Sequence, residues 1–254
     1  MPTTRDYSKL SADLVDALHL QQPPVALCFS DAVPAGLEAP AKPVAAGCKF
    51  WEDATVASFT TSANDHELCA IGVYTHRLQS TQAQQTDLMD ALKVFGDLGY
   101  VRQEDLPLIP VLAAEAKYIT YSPLAQTPLP PDVVLMFANA SQTLILSEAT
   151  QQVENQNAPA MGRPACAVVP QVMNTGRAAL SLGCCGARAY LNTLTDGVAL
   201  FAIPGDKLEA YTERVTALAD ANQTLTRFHE LRRHDVDLDN RPTIQESLTA
   251  LAAT

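Results

Sequence analysis

Four of the six cysteines in this chain fall into two pairs that have similar spacing and similar surroundings. Cys69 lies 21 positions after Cys48 (69 − 48), and Cys184 lies 18 positions after Cys166 (184 − 166). Each pair follows a proline-led apolar run, and a glycine and a tyrosine follow each second cysteine. Iron–sulfur clusters are bound by thiolates, and a four-iron cluster takes one thiolate per iron. If the two pairs meet, they supply the ligands of one four-iron cluster.

The spacing of the cysteines leaves other readings open. It matches neither the compact ferredoxin pattern nor the C-x-x-C pairs of zinc ribbons. Free cysteine is often a small buried apolar residue, and four thiolates also suit zinc. Cys28 alternates within an apolar run, so we expect it to be a core residue. Cys184 and Cys185 are adjacent, and we expect only one of them to bind a cluster.

Three charged or titratable side chains near the cysteines are candidates for a chemical role. His66 is expected to be an iron ligand, a hydrogen-bond donor to a ligand, or a residue that caps its local turn. Arg163 and Arg188 each accompany a cysteine, and each could offset the charge of a cluster or bind a carboxylate substrate through two hydrogen bonds. A structural ion pair is the alternative for both arginines. His76 is expected to lie at the surface.

The elements that must position these residues predict a mixed α/β (α+β) fold with two similar halves. Apolar runs at 25–29 and 133–137 follow prolines and predict strands. Apolar spacing predicts helices over 7–20, 86–98 and 141–151. A last helix is predicted from Asp206, which has capping-box spacing to Glu209. The predicted organisation is one domain over 1–254, with pseudo-repeated halves at about 22–125 and 130–205 around a shared metal site and a C-terminal helical segment at 206–254.

Composition excludes several classes of protein. Among the 254 residues, 17 Lys and Arg face 28 Asp and Glu, so the net charge of −11 argues against nucleic-acid binding. No apolar run approaches the ~20 residues of a membrane span. The N-terminus lacks a basic region followed by an apolar stretch, which predicts a cytoplasmic protein with reduced thiols. The absence of G-x-S-x-G, P-loop and G-x-G-x-x-G motifs gives no support for a serine hydrolase or a nucleotide cofactor.

At its cysteine motifs the sequence resembles a known family of cysteine-containing archaeal and bacterial proteins, the domain of unknown function 169. The resemblance extends over roughly 23–229. It rests on these residues: Gly47-Cys48, Asp65-His66 before Cys69 and Gly72, Arg163-Pro164 before Cys166, Ser181-Leu182-Gly183-Cys184, Gly186, Arg188-Ala189-Tyr190 and Ile203-Pro204-Gly205. It implies an iron–sulfur protein whose [4Fe-4S] cluster is bound by Cys48, Cys69, Cys166 and Cys184. Cys28 and Cys185 stand outside the family's recurring cysteines.

The expected function is therefore binding of a [4Fe-4S] cluster, with no reaction assigned. One alternative is a cluster-dependent hydrolase or lyase in which an iron without a cysteine ligand acts as a Lewis acid. Others are a redox protein that transfers electrons, an oxidoreductase, and a structural cluster or zinc–thiolate site that ties the two halves together. The expected partners are a small-molecule substrate, a redox protein or a second copy of the chain, and neither nucleic acid nor a membrane.

Overall fold

A seven-stranded sheet forms the centre of the computed structural model, which describes residues 5–39, 47–66 and 68–253. The strands are β1 (Val25–Ser30), β2 (Phe59–Thr61), β3 (Tyr118–Pro123), β4 (Val133–Asn139), β5 (Ala160–Met161), β6 (Ala179–Ser181) and β7 (Val198–Pro204). They lie in the order β2-β3-β1-β4-β7-β6-β5. Neighbouring strands are antiparallel except β5 and β6, which are parallel. The prediction of a mixed α+β fold is confirmed.

Helices connect the strands and extend the chain beyond them. They are α1 (Tyr7–Leu18), α2 (Lys49–Asp53), α3 (Ala70–Thr75), α4 (Gln82–Asp97), α5 (Ala140–Glu154), α6 (Val168–Thr175), α7 (Leu208–Asp237) and α8 (Ile244–Ala252). Within the described ranges, no helix has both the length and the apolar character that crossing a membrane requires.

Each predicted half contributes one block of the sheet. The block β2-β3-β1 comes from 22–125, and the block β4-β7-β6-β5 comes from 130–205. The C-terminal segment after residue 205 contains α7 and α8. The assignment of the whole chain to one domain stays a prediction.

Alternate residues of the two central strands face two separate apolar cores. In β1, Val25 and Leu27 face the first core, whereas Ala26 faces the second. In β4, Val133 and Leu135 also face the first core. Successive side chains of a strand point to opposite faces of the sheet. Continuous apolar sequence in both strands therefore reflects a sheet that is covered on both faces.

Helices α1, α5 and α7 cover the second face of the sheet. Leu18 of α1, Leu146 of α5 and Tyr211 of α7 are buried in its core. The side-chain amide of Gln142 in α5 donates to the carbonyl oxygens of Leu18 (2.9 Å) and His19 (3.0 Å) and so joins the start of α5 to the end of α1. This layer supports the sheet from behind and leaves the first face to carry the cysteines.

Short helices and aromatic side chains cover the first face. Phe50 and Trp51 of α2 are fully buried there. The rings of Phe50 and Tyr121 lie 5.6 Å apart, and those of Phe59 and Tyr121 lie 5.5 Å apart. Because rigid rings pack tightly between α2, β2 and β3, they form a firm floor under the segment that contains Cys48.

Two predicted helix starts are wrong. Asp206 lies in the short 3-10 turn Gly205–Lys207, and α7 begins only at Leu208, with Lys207 at its N-cap and no side-chain cap. The chain leaves β7 through this turn before it can become helical. Helix α4 begins at Gln82, four residues before the predicted start, because Thr81 and Gln84 form a capping box.

Candidate functional site

One cavity on the first face of the sheet brings the predicted cysteines together. It has a volume of about 430 Å³ and is lined by five cysteines, namely Cys48, Cys69, Cys166, Cys184 and Cys185. The first two come from the first half of the chain, and the other three come from the second half. All four cysteines singled out from the sequence thus border the same space.

Cys48 and Cys69 each precede a short helix. Cys48 is the N-cap of α2 and is 8% exposed. Trp51, three residues later, is buried in the first core, and it anchors both α2 and Cys48. Cys69 is the N-cap of α3, in which Gly72 and Val73 are buried against the rest of the protein. These anchored helix starts hold the two cysteines at the edge of the cavity.

The second pair of cysteines also lies at the start of helical segments. Cys166 is 8% exposed and lies in the 3-10 turn Ala165–Ala167, which continues directly into α6. Cys184 and Cys185 precede the π-helical turn Gly186–Tyr190. Cys184 is partly buried, whereas Cys185 is exposed.

Arg188 holds the turn that carries Cys184. Its guanidinium donates to four main-chain carbonyl oxygens: Leu182, Leu194 (3.2 Å), Thr195 (2.8 Å) and Val198 (2.9 Å). Gly183 has a φ of 91°, and a Cβ on it would lie 2.9 Å from the Nε of Arg188. The expectation of an ion pair for Arg188 is wrong among the described residues, because its donors are used on the backbone. Arg188 therefore positions Cys184.

Burial and mutual repulsion raise the pKa of the cysteines. Burial raises the pKa of Cys48 to about 12, and the charges of Cys69 and Cys184 act in the same direction. Burial also raises the pKa of Cys166 well above its ordinary value, and the charge of Cys69 adds to this. Cys48 and Cys166 are therefore protonated at neutral pH when no cation is bound. A bound cation would release those protons.

Two glycines let the backbone approach the sulfur of Cys69. Burial raises the pKa of the Cys69 thiol, and hydrogen bonds from the backbone of Gly47 and Gly72 oppose that rise. A Cβ on Gly72 would lie only 2.8 Å from the Sγ of Cys69. Only glycine permits so close an approach. Backbone N–H donors of this kind also tune cluster sulfurs in iron–sulfur sites.

His66 lies behind Cys69 and is not among the described residues that line the cavity. It is fully buried, and its ring meets Phe50 edge-on at 4.9 Å between ring centroids. Burial lowers the pKa of His66, so the ring is neutral. Its Nδ1 is 3.0 Å from the carbonyl oxygen of Ser62 and donates to it, whereas its Nε2 has no hydrogen-bond partner among the described residues. A Cβ on Gly47 would lie 3.1 Å from that Nε2.

Two buried hydroxyl groups near the cysteines were missed by sequence reasoning. The Oγ1 of Thr75 lies 3.3 Å from the Sγ of Cys166. Tyr121 is fully buried, and burial followed by the charges of three cysteines, Cys166, Cys69 and Cys48, raises its pKa. The side chain of Thr61 acts on that pKa in the opposite direction but lies outside hydrogen-bonding geometry, so the Tyr121 hydroxyl has no hydrogen-bond partner in the described part of the chain. The nearby hydroxyl of Thr61 donates instead to the carbonyl oxygen of Ile119 (3.4 Å). Both positions depend on contacts between distant segments, since Thr75 at the end of α3 meets Cys166 and Tyr121 lies in β3 beside β2.

Arg163 lies at the exposed mouth of the cavity. Its Cζ is 4.2 Å from the centroid of the Tyr100 ring, which is a cation–π contact. The ion pair expected for Arg163 is not found among the described residues. Asp105, whose pKa Arg163 helps to lower, is paired with Arg102 at 2.6 Å. Arg163 thus reaches the cavity with its charge unpaired by any described carboxylate.

Within residues 5–39, 47–66 and 68–253, no group of three or more His, Cys, Asp and Glu side chains has an arrangement that could hold a metal ion.

A comparison with protein families matches residues 13–214 to DUF169, a family described as uncharacterised ArCR. The chain belongs to the DUF169 family. The match contains all six cysteines and ends within α7, so the outer part of α7 and the whole of α8 lie outside it. No curated protein and no solved structure matches the chain.

Two further residues of this DUF169 chain lie away from the cavity. Cys28 is buried in β1, with its Sγ 3.7 Å from the carbonyl oxygen of Leu129, and it does not line the cavity. His76, expected at the surface, is instead 2% exposed, so that prediction is wrong. It ends α3 and packs against Phe29 of β1, with 5.9 Å between ring centroids. The sequence around His76 contains polar residues, but the packing of α3 onto the sheet buries it.

Proposed function

We propose that this DUF169 protein binds one [4Fe-4S] cluster through Cys48, Cys69, Cys166 and Cys184. The observation that carries the proposal is that these four cysteines line one cavity and influence each other's ionisation. A four-iron cluster takes one thiolate per iron, so its ligands surround a volume instead of converging on one atom. The cavity supports this arrangement better than a single zinc ion, which needs four donors around one centre.

The strand register supports the further proposal that the two halves are pseudo-repeats. β1 and β4 pair so that Val25 lies opposite Leu135 and Leu27 lies opposite Val133. A twofold axis through this pair, perpendicular to the sheet, exchanges Val25 with Val133 and Leu27 with Leu135. The exchanged residues are of the same type, as a duplicated strand requires.

The same register continues into the outer strands. Pro123 at the end of β3 lies opposite Val25, and Pro204 at the end of β7 lies opposite Val133. β2 then pairs with β3 in the same way as β6 pairs with β7. In each half one cysteine precedes a short helix that leads to β2 or β6, and another follows that strand. The proposed axis therefore relates the two cysteine pairs across a common point.

The surroundings of the cysteines suit an anionic cluster. Tyr121 offers an unpartnered hydroxyl near three of the four cysteines, and the backbone of Gly47 and Gly72 offers N–H groups to Cys69. Hydrogen bonds to sulfur stabilise such clusters and set their potentials. When bound through all four cysteines, the cluster would supply electrons, whereas a Lewis-acidic iron would require that one of the four is not a ligand. The protein would supply the ligands, hold Cys184 through Arg188, and limit the access of water through the buried Phe50 and Trp51.

The open cavity beside the cysteines favours a cluster that a small molecule can reach. This feature favours the alternative of a cluster-dependent hydrolase or lyase over a purely structural site. That alternative requires one iron without a cysteine ligand. Electron transfer to a redox partner is the other proposed role, and a reversible reduction without a substrate-dependent spectral change would support it.

Serine variants of the four cysteines test the proposal on anaerobically prepared protein. We expect about four irons and four sulfides per wild-type chain, and clear loss of both in each single variant, because thiolate is the preferred cluster ligand. Cys185→Ser is the matched control, since Cys185 lines the same cavity but is exposed, and it should retain the cluster. Full cluster content in one of the four variants would remove that residue from the ligand set and support the Lewis-acid alternative. Zinc without sulfide in the wild-type protein would refute the proposal.

A further inference from the structure

We infer that the cavity beside the cysteines binds a small apolar monocarboxylate, whose carboxylate is held by Arg163 at the mouth. This inference goes beyond cluster binding and does not require it, because the residues that argue for it are other parts of the cavity. Three features carry it: the apolar wall, Arg163 as the one cation among the described lining residues, and the depth at which each lies.

Much of the cavity wall that the cysteines do not form is apolar. Side chains from α3, α4 and the following segment form it, among them Ile71, Leu88, Leu92, Phe95 and Ile109. The whole cavity, including its part beside the cysteines, has a volume of about 430 Å³, which falls within the usual range of small-molecule sites. Met89 of α4 also lines the cavity and is 64% exposed, so the apolar surface extends to the opening. Such a wall favours a hydrocarbon or aromatic group.

Arg163 is the only Lys, Arg or His among the described residues that line the cavity. Its guanidinium rests on the Tyr100 ring, and no described carboxylate forms a salt bridge with it. A planar guanidinium binds a carboxylate through two parallel hydrogen bonds, and stacking on a ring restricts its motion before binding. Arg188, by contrast, uses its donors on backbone carbonyls. Arg163 is therefore the group that selects the charge of the ligand.

The positions of these groups fix the orientation of the ligand. Arg163 is exposed, whereas Cys48 and Cys166 are buried at the inner side of the cavity. A carboxylate at Arg163 remains near water, and the apolar part extends inward toward the cysteines. Two carboxylates oppose this choice of charge: Asp87, which is exposed and lines the cavity, and Asp105, whose pKa Arg163 helps to lower. The choice between the two signs of charge is open to direct measurement.

Three probes with the same chain and different head groups test the inference: octanoate, octanamide and octylamine. Binding is measured by calorimetry on the full chain, both free of iron and loaded with cluster. We expect octanoate to bind the wild-type protein at least about tenfold more tightly than octanamide, from the strength of charge-assisted hydrogen bonds. Octylamine should bind more weakly than octanamide. Equal affinity for the three probes, or a preference for octylamine, would overturn the inference.

Two variants locate the contacts, and a third is the control. Arg163→Gln should weaken octanoate binding about tenfold or more and change octanamide binding little. Arg214→Gln is the control, because Arg214 lies exposed on α7, pairs with Glu213, and does not line the cavity. Ala91→Phe adds volume to the wall and should weaken both octanoate and octanamide. Unchanged octanoate affinity in Arg163→Gln refutes the role of Arg163. A variant that loses octanoate binding but keeps full iron content, or that loses iron but keeps octanoate binding, shows that carboxylate binding and cluster binding fail independently.

Discussion

Replacing Tyr121 by phenylalanine removes one buried hydroxyl and leaves the ring in place. The ring of Tyr121 packs between Phe50 and Phe59 in the floor of the site. Its hydroxyl is fully buried and has no hydrogen-bond partner among the described residues. A buried polar group without a partner costs about 1–3 kcal/mol. We therefore expect Tyr121→Phe to raise the free energy of unfolding of the iron-free protein by about that amount.

Tyr211 provides a matched control on the opposite face of the sheet. It is also fully buried, but its hydroxyl lies 3.2 Å from the Oγ1 of Thr150 and forms a hydrogen bond with it. Thr150 also donates to the carbonyl oxygen of Leu146 (2.9 Å) and stays satisfied when the tyrosine hydroxyl is removed. Tyr211→Phe should therefore lower the free energy of unfolding by about 0.5–1.5 kcal/mol. Urea unfolding of the two variants at one pH gives opposite signs.

The cluster-loaded protein should reverse the effect of Tyr121→Phe. If the hydroxyl donates to the cluster or to its thiolates, its removal takes away a stabilising hydrogen bond. Iron release to a chelator should then be faster in Tyr121→Phe than in the wild type, and the reduction potential should be more negative. Tyr211→Phe should leave both quantities unchanged.

Two results would contradict this reasoning. If Tyr121→Phe destabilises the iron-free protein as much as Tyr211→Phe does, the hydroxyl already has a partner. If Tyr121→Phe stabilises the iron-free protein but leaves iron release and potential unchanged, the hydroxyl does not serve the cluster.

Two further predictions concern α3. Gly72→Ala places a Cβ 2.8 Å from the Sγ of Cys69, so it should lower cluster content and speed iron release. Gly162→Ala, which has open space around it, should change neither. Equal iron content in the two variants would contradict the close approach of Gly72 to Cys69. Burial, followed by the charge of His66, lowers the pKa of His76 to about 3. The unfolded chain protonates His76 near the ordinary pKa of 6.5, whereas the folded protein resists this until about pH 3, so the folded state loses stability as pH falls from 6.5 toward 3. Acid should therefore destabilise the iron-free wild type more than His76→Leu, by roughly 2–4 kcal/mol at pH 4. Parallel stability profiles from pH 7 to 4 would refute it.

The local sequence determined the elements of the central sheet and the first helix. The apolar runs at 25–29 and 133–137 lie within β1 and β4, and the helix predicted over 7–20 corresponds to α1, which ends two residues earlier, at Leu18. These features depend on which faces of a short segment are apolar, and that information is local. The residue types also sufficed to single out the cysteines that border the cavity. The proline-led run before each pair, and the glycine and tyrosine after Cys69 and Cys184, gave that signal without any structure.

The tertiary structure alone decided how the cysteines are surrounded. Cys184 and Cys185 are neighbours in sequence, yet only Cys184 acts on the ionisation of Cys48, Cys69 and Cys166. The difference arises from the turn that Arg188 holds against four carbonyls. Those contacts depend on where β7 places the segment before it, which no local pattern encodes.

The burial of polar groups was likewise settled only by long-range packing. Tyr121 reaches the cysteines because β3 lies between β1 and β2, although β2 precedes β3 by many residues in the chain. His76 becomes buried because α3 packs onto β1 beside Phe29. The sequence determines which side chains can bind a cluster, since that follows from residue chemistry. The strand order determines which of them meet and which polar groups lose water, because pairing of distant segments is a property of the whole sheet.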